Sequence, residues 1–219
     1  MRVLLTGAAG SIGRVVTVGL ADRGHRVIGL DRVVEPEGFD GPWHSVDCAD
    51  PDAVASVFEA ESPDAVVHLA GKPDEGNLPE SLTSHVVTTA ALLDAMAEHD
   101  VQRIVYASSN HAVGRTPRPA DPSTHIGDDL RPRPDTFYGV SKVAAEALLS
   151  LYAVLYGISA NTRRWWDLEP GRRLGYEPVD DAEEFAATVP ARPEDDFEAA
   201  HVGGPFAGEE FYRPALERS

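Results

Sequence analysis

The chain has 219 residues, of which 42% are hydrophobic and 25% charged, a composition typical of a globular protein with a sizeable core. Lysine and arginine number 19 against 36 acidic residues, and the net charge of −17 disfavours a nucleic acid or an anionic membrane as partner. The single cysteine, Cys48, excludes an intrachain disulfide. The first apolar stretch ends at Thr6-Gly7, too early for a signal peptide, and no apolar run reaches the ~18 residues of a membrane span. We therefore expect a cytoplasmic protein.

Short apolar runs alternate with segments of helical periodicity over the first 157 residues. Runs of Val, Ile and Leu bounded by Gly or polar residues are typical of strands buried on both faces. The predicted strands are Val3–Leu5, Val27–Leu30, Ala65–Leu69 and Ile104–Ala107, with a further strand before Asp47. The predicted helices are Ser11–Ala21, Pro51–Ala60, Leu82–Glu98 and Tyr138–Tyr156. This alternation predicts an α/β fold, a single domain built on a doubly wound parallel sheet.

The remainder of the chain is less regular. Arg115–Pro134 holds five prolines and several polar residues, which predicts a loop. Beyond Ile158 the chain is rich in Arg, Trp, Gly and acidic residues, with one predicted helix at Asp180–Ala187. From Pro190 onwards we expect a tail that is poorly ordered or that depends on a partner.

Three glycines separate the first predicted strand from the first predicted helix. Gly7 permits a tight turn, Gly10 lets the backbone approach a pyrophosphate, and Gly13 lets the helix lie close to the sheet. Amide groups at the helix start, around Ser11 and Ile12, would then hold the phosphates. The pattern predicts a dinucleotide site, although an ordinary surface turn also uses glycine.

Asp31 ends the second predicted strand, 18 residues after Gly13. An acid at this position accepts hydrogen bonds from the ribose hydroxyls and repels a 2′-phosphate, which favours NAD over NADP. Arg32 follows and could serve a 2′-phosphate, and a solvated acid at a strand end is the alternative for Asp31. Asp47 and Cys48 follow the third strand and either border the adenine or form an ordinary turn.

Tyr138 and Lys142 are spaced four residues apart on a predicted helix, which puts both side chains on one face. An adjacent ammonium lowers the pKa of a phenol, so Tyr138 could act as a general base near neutral pH. A surface pair is the alternative, because this spacing is common. Ser109 supports the catalytic interpretation, since it follows the fifth strand, where a doubly wound sheet opens onto its ligand crevice.

These residues together resemble the extended short-chain dehydrogenase/reductases, the NAD-dependent epimerase/dehydratase family. The motifs concerned are Thr6-Gly-x-x-Gly-x-x-Gly13, Asp31, His68-Leu-Ala-Gly71, Ser109 and Tyr138-x-x-x-Lys142. Within that family, Ser108-Ser-Asn-His-Ala-Val-Gly114, Arg133-Pro-Asp-Thr-Phe-Tyr-Gly-Val-Ser-Lys142 and Tyr156-Gly-Ile-Ser-Ala-Asn161 with Trp165-Trp166 are similar to uronate dehydrogenases. The same segments are equally similar to archaeal NAD-dependent glucose-6-phosphate dehydrogenases.

The resemblance implies an NAD-dependent enzyme that oxidises the anomeric carbon of an aldose or uronic acid to a lactone. Tyr138 would take the C1 hydroxyl proton, Ser109 would orient that hydroxyl, and Asn110 and His111 would contact the sugar. It also implies cofactor contacts from Lys142 and from Leu69-Ala70-Gly71, and a homo-oligomer that pairs through the helices predicted at Leu82–Glu98 and Tyr138–Tyr156. The eight histidines show no zinc-like spacing, so we expect no metal site.

Two departures from the family bear on activity. The helix containing Tyr138 and Lys142 leads directly into Ile158-Ser-Ala-Asn161, so roughly 40–60 residues, one or two βαβ-sized units, are missing after Gly157. We accordingly divide the chain into an NAD-binding domain, 1–157, and a truncated substrate region, 158–219. His85 stands where the family usually has an asparagine that helps to position the lysine. A nucleotide-sugar epimerase or dehydratase and a non-catalytic NAD-binding remnant are the alternative functions.

Overall fold

The computed structural model describes residues 1–121, 126, 130–150, 158–173, 175–189, 193–194 and 196–207. These residues fall into two compact units. The first comprises Met1–Ser109 with Ala144–Leu148, and the second comprises Asn110–Val143 with Leu149–Ser219. None of the described helices is long and apolar enough to cross a membrane.

The first unit is built on a five-stranded parallel sheet. Its strands are β1 (Arg2–Thr6), β2 (Arg26–Asp31), β3 (Trp43–Ser45), β4 (Ala65–His68) and β5 (Ile104–Tyr106), in the spatial order β3-β2-β1-β4-β5. The register pairs Thr6 of β1 with Leu30 of β2 and with His68 of β4. The carboxyl ends of the three central strands therefore meet at one edge. This confirms the predicted doubly wound parallel sheet, and Leu4, Leu5, Ile28 and Leu30 are fully buried in its core.

Helices α1 (Ser11–Asp22), α2 (Pro51–Glu61), α3 (Leu78–Leu82) and α4 (Thr88–Glu98) belong to the same unit. Asp50 caps α2 by accepting a hydrogen bond from the amide of Ala53 at 3.1 Å, and Pro51 occupies the first helical position. In the same way, Asn77 caps α3 through the amide of Glu80 at 3.0 Å.

The predicted single helix Leu82–Glu98 was wrong in its start and in its continuity. The helical segment begins at Leu78, and a π-helical turn, Thr83–Val87, lies between α3 and α4. The cap at Asn77, with Pro79 and Glu80 in the first turn, is a helix-start signal that sequence reasoning overlooked.

The second unit contains α5 (Phe137–Leu149), whose residues 144–148 belong to the first unit, and the short helices α6 (Glu169–Arg172) and α7 (Asp196–Ala200). Three 3₁₀ turns accompany them, at Asn110–Val113, Ala182–Phe185 and Gly204–Ala207. Helix α5 ends at Leu149, earlier than predicted, and 151–157 lie outside the described residues. The helix predicted at Asp180–Ala187 was wrong, since the structure has only the 3₁₀ turn Ala182–Phe185 there. Asp181 caps this turn by accepting a hydrogen bond from the amide of Glu183 at 2.9 Å, and the Ala186 amide donates to the Glu183 carbonyl.

The described part of the loop predicted at Arg115–Pro134 contains only isolated bridges, Pro117 to His201 and Ile126 to Trp166. The prediction of a poorly ordered tail from Pro190 was wrong for the described residues 196–207. They form α7 and a 3₁₀ turn, and Val202, Gly203 and Ala207 are buried there. The Val202 amide donates to the Thr116 carbonyl and the Gly203 amide to the Gly114 carbonyl, and such bonds between segments far apart in the sequence cannot be predicted from local composition.

Candidate active site

The glycine-rich turn between β1 and α1 has the geometry that its sequence predicts. Gly7 adopts φ +70°, and its amide donates to the Leu30 carbonyl at 2.9 Å. Gly13 is buried, and a Cβ there would lie 2.2 Å from the Gly7 carbonyl oxygen, so no other residue fits. Gly10 caps α1 without any side-chain hydrogen bond. The first amides of the helix, at the exposed Ser11 and Ile12, therefore suit a pyrophosphate.

Asp31 lies at the carboxyl end of β2, beside this turn. Its carboxylate accepts hydrogen bonds from the amides of Ala9 at 3.1 Å and Arg32 at 2.7 Å, and the residue is partly exposed. A carboxylate held next to the glycine turn fits the ribose of a dinucleotide. The backbone amides at the start of α1 and the carboxylate of Asp31 thus fit NAD.

Asp47 and Cys48 differ in accessibility. Asp47 is exposed and accepts from the amide of Ala49 at 2.9 Å, which forms a local turn. Cys48 is buried, and burial raises the pKa of its thiol to about 12. The charges of Asp47 and Asp31 also raise this pKa, whereas a hydrogen bond with Thr6 lowers it. The prediction that both residues border the adenine stays a prediction.

The segment Leu69-Ala70-Gly71 follows β4 and lies against the glycine turn. The Ala70 amide donates to Thr6 Oγ1 at 3.1 Å, and a Cβ on Gly7 would come within 2.8 Å of that same amide nitrogen. Thr6 Oγ1 also lies 2.7 Å from His68 Nδ1, and both side chains are fully buried. In the sequence, Thr6 and His68 were noted only as members of motifs, and their contact was not predicted. Their polarity in otherwise apolar strands was the signal for a structural role.

His85 lies in the π-helical turn and is buried. Its Nε2 donates to the Lys72 carbonyl at 3.1 Å, since a carbonyl can only accept. A Cβ on Gly71 would lie 2.5 Å from the His85 ring, so the ring occupies the space above that glycine. His85 therefore holds the backbone that follows β4.

In the second unit, Tyr138 and Lys142 lie on one face of α5, as predicted. Lys142 is buried, and its Nζ lies 5.3 Å from the centroid of the Tyr138 ring. The hydroxyl of Thr136 accepts from the Gly139 amide at 2.9 Å and caps the start of the helix. An ammonium at this distance from an aromatic ring makes a cation–π contact.

The 3₁₀ turn Asn110–Val113 contacts both α5 and the C-terminal segment. A Cβ on Gly139 would lie 2.2 Å from the His111 carbonyl oxygen, so the backbones approach closely. The His111 ring packs edge-to-face against Tyr138 at 5.9 Å and Phe206 at 4.7 Å between centroids. Asn110 Nδ2 donates to the Val202 carbonyl at 3.0 Å. The second unit therefore brings the predicted substrate residues Asn110 and His111 together with Tyr138.

Asp135 is a buried acid that sequence reasoning missed. Its oxygens lie 2.9 and 3.1 Å from His111 Nδ1. The available signal was its position in Arg133-Pro-Asp-Thr-Phe-Tyr138, a segment similar to uronate dehydrogenases. Its partner lies 24 residues away, and residue spacing does not predict such a contact.

Ser109, the third predicted catalytic residue, ends the stretch Met1–Ser109 of the first unit and is half-buried. The preceding Ser108 donates to the Glu146 carboxylate of the same unit. Among the described residues, no group of three or more His, Cys, Asp or Glu side chains is arranged to hold a metal ion.

Comparison with known proteins shows that the chain is similar to several sugar dehydrogenases. Uronate dehydrogenase of Pseudomonas syringae pv. tomato is 28% identical over 261 aligned positions, covering 94% of this chain and 92% of the relative. An L-arabinose 1-dehydrogenase of Haloferax volcanii is 35% identical, covering 87% of this chain and 76% of the relative. An NAD-dependent glucose-6-phosphate dehydrogenase of the same organism is 29% identical, covering 84% and 95%. The relatives thus include both dehydrogenase groups that the sequence motifs resemble.

The alignment with the Pseudomonas protein also includes positions that this chain lacks. Because 94% of 219 residues is about 206, about 55 of the 261 aligned positions have no counterpart in this chain. Among the residues that the structure describes, no strand follows β5 in the sheet, and Ile158–Ala160 form none. The loss of a segment after Gly157 stays a prediction.

The fold comparison and the family pattern agree with these relatives. A mutant of uronate dehydrogenase from Agrobacterium tumefaciens, complexed with NAD, superposes with a TM-score of 0.80 at 28% identity, covering 97% of this chain and 98% of that one. The pattern of the NAD-dependent epimerase/dehydratase family matches residues 3–168, which contain the glycine turn, Asp31 and the tyrosine–lysine pair. The chain therefore belongs to the NAD-dependent epimerase/dehydratase family.

Proposed function

We propose that this chain is an NAD-dependent sugar dehydrogenase that oxidises the anomeric carbon of an aldose or uronic acid to a lactone. The observation that carries the proposal is the Tyr138–Lys142 pair, with the ammonium 5.3 Å from the phenol ring, in a chain related to three kinds of sugar dehydrogenase. The family resemblance also supports Asn110 and His111 as contacts of the sugar.

Oxidation at C1 removes a proton from the hydroxyl and a hydride from the carbon. Tyr138 acts as the phenolate, whose charge the ammonium of Lys142 stabilises, and on taking the proton at Oη it becomes the neutral phenol. Ser109 orients the hydroxyl so that its proton faces the base. NAD, held by the Gly7–Gly13 turn and by Asp31, supplies the hydride acceptor.

One observation favours a second candidate, a non-catalytic NAD-binding remnant. About 55 aligned positions of the Pseudomonas relative are absent from this chain, and such a loss would remove substrate contacts. The glycine turn and Asp31 precede residue 157, so cofactor binding would survive in either case.

Two measurements separate the candidates. NADH formation is followed by absorbance against glucuronate, galacturonate, glucose 6-phosphate, arabinose and galactose, while calorimetry records NAD binding. A dehydrogenase produces NADH with at least one sugar, whereas a remnant binds NAD and produces none.

The role of Tyr138 is tested by Tyr138→Phe. We expect a loss of about 10²–10⁴-fold in kcat with the NAD affinity retained, because the phenol transfers the proton and holds no phosphate. Tyr176→Phe is the control, since the Tyr176 hydroxyl donates to the Ile158 carbonyl at 2.9 Å and has no proposed part in the reaction. Full activity in Tyr138→Phe would exclude this base.

A further inference from the structure

Asp135 and His111 form a hydrogen-bonded pair of defined polarity in the second unit. The Asp135 side chain is fully buried, whereas 16% of the His111 side chain is exposed. An ionised carboxylate can only accept hydrogen bonds, so His111 must donate from Nδ1. In the neutral ring the lone pair then lies on Nε2.

The Asp135 carboxylate is enclosed on several sides. Thr136 Oγ1 lies 3.3 Å from Oδ1 and donates to it. Cβ atoms built on Gly114 and on Gly203 would lie 1.9 and 2.0 Å from Oδ2, so the two glycine backbones form walls against this oxygen. The Gly203 amide also donates to the Gly114 carbonyl at 2.8 Å, which joins the two walls. The carboxylate therefore has little freedom to turn away from His111.

The plane of the His111 ring is fixed as well. Tyr138 and Phe206 both pack edge-to-face against it, at interplanar angles of 76° and 80°. These contacts fix the orientation of the ring but do not select between its two neutral tautomers. The carboxylate makes that choice, because it accepts a hydrogen bond at Nδ1.

We propose that Asp135 is a positioning residue, which holds His111 in the Nδ1–H tautomer so that Nε2 accepts a hydrogen bond from a hydroxyl group of the sugar. The inference rests on the proposed function, because it requires a sugar as the ligand. A lone pair at Nε2 favours a hydroxyl over a carboxylate or phosphate oxygen, which has no proton to donate. His111 would therefore recognise a ring hydroxyl that aldoses and uronic acids share, rather than the anionic group that distinguishes them.

The tautomer is measured directly in the NAD-bound protein by ¹⁵N NMR of labelled histidine rings, with His111→Gln identifying the resonances. We expect a protonated Nδ1 and an unprotonated Nε2 in the wild type. In Asp135→Asn both tautomers should be populated, because an amide can present either its oxygen or its NH₂ group to Nδ1. An Nε2–H tautomer or a doubly protonated ring in the wild type overturns the proposal, even if the variant does not fold.

A double-mutant cycle shows whether Asp135 acts through His111. We expect Asp135→Asn to raise the KM for the best sugar about tenfold with the NAD affinity unchanged, and to have little further effect in a His111→Ala background. The control is Asp74→Asn, which removes a charge from an exposed residue of the first unit. If Asp135→Asn raises the KM equally in the wild type and in His111→Ala, the inference is overturned but the dehydrogenase activity stands. A wild type that oxidises no sugar overturns the proposed function itself.

Discussion

Cys48 is a buried thiol near two carboxylates, so its contribution to the free energy of unfolding should depend on pH. Its pKa of about 12 lies above the 9.0 of an unburied thiol, so the folded chain retains the proton more firmly than the unfolded chain. The associated stability is complete below pH 9 and is lost between pH 9 and about 12. Compared with Cys48→Ala, we expect the wild-type free energy of unfolding to fall by about 1.4 kcal/mol per pH unit in that window.

Urea titrations of both proteins from pH 8 to 11 provide the measurement. A constant difference between the wild type and Cys48→Ala across this range would contradict the raised pKa. The same burial predicts that Cys48 reacts with thiol reagents at pH 8 only after unfolding.

Asp31 is expected to set the cofactor preference. Asp31→Ala should weaken NAD binding and bring the affinities for NAD and NADP at least about tenfold closer, because the carboxylate accepts from the ribose and repels a 2′-phosphate. Asp31→Asn retains an acceptor for the Ala9 amide and so isolates the effect of the charge. Calorimetry with both cofactors measures this, with the exposed Asp40→Ala as control for net charge. Equal affinities in the wild type would contradict the prediction.

Individual residues were predictable where their role is local. The tight turn at Gly7 and the close packing at Gly13 were predicted correctly, because a turn between a strand and a helix imposes its demands within a few residues. The pyrophosphate contact at Gly10 stays a prediction. The His111–Asp135 pair was not predicted, since two residues 24 positions apart meet only after the chain has folded.

Helix α2 depends on its amino-terminal cap. Asp50→Ala removes the acceptor for the Ala53 amide and should lower the free energy of unfolding by about 1 kcal/mol. Glu59→Ala is the matched control, because it removes an exposed acid from the same helix without touching the cap. Urea denaturation compares the three proteins, and equal losses in both variants would show that the cap contributes nothing specific.

The elements themselves were largely predictable from apolar periodicity, with one informative failure. The segment from Leu78 to Glu98 combines α3, a π turn and α4, whereas a regular 3.6-residue pattern was expected from Leu82. A π turn inserts a residue without any characteristic composition, so periodicity cannot reveal it. Its position around His85 follows from tertiary packing against Gly71.

Self-association through the helices near Leu82–Glu98 and Tyr138–Tyr156 stays a prediction. Seven residues of α4 are buried within the chain, which already explains much of that helix's apolar character. Val87 in the π turn is exposed and available for a partner. We expect light scattering to give a mass above 23.5 kDa for the wild type and a smaller mass for Val87→Glu.

Val18→Glu is the control for that experiment, because Val18 is also an exposed valine but lies on α1, outside the proposed interface. Dissociation by Val18→Glu alone would place the interface elsewhere, and a 23.5 kDa wild type would exclude self-association.

The missing segment should limit sugar binding more than cofactor binding. β5 is an edge strand among the described residues, and its Val105 is 64% exposed. Inserting the corresponding segment of a uronate dehydrogenase after Gly157 should raise kcat/KM for uronates, because it restores substrate contacts and excludes water. NAD affinity serves as the internal control and should not change. If the wild type is already active and the insertion does not raise kcat/KM, the chain is a natural short form.

The walls around Asp135 link three positions that are far apart in the sequence. Gly114 and Gly203 leave no space for a Cβ as long as the carboxylate stands between them. Substitution of either glycine alone is therefore expected to be selected against. A shorter side chain at 135 would release Gly114, whereas a Cβ on Gly203 would still lie 2.9 Å from the Gly114 Cα. In a library randomised at all three positions, survivors should keep glycine at 203 and carry larger residues at 114 only where the acid has been lost.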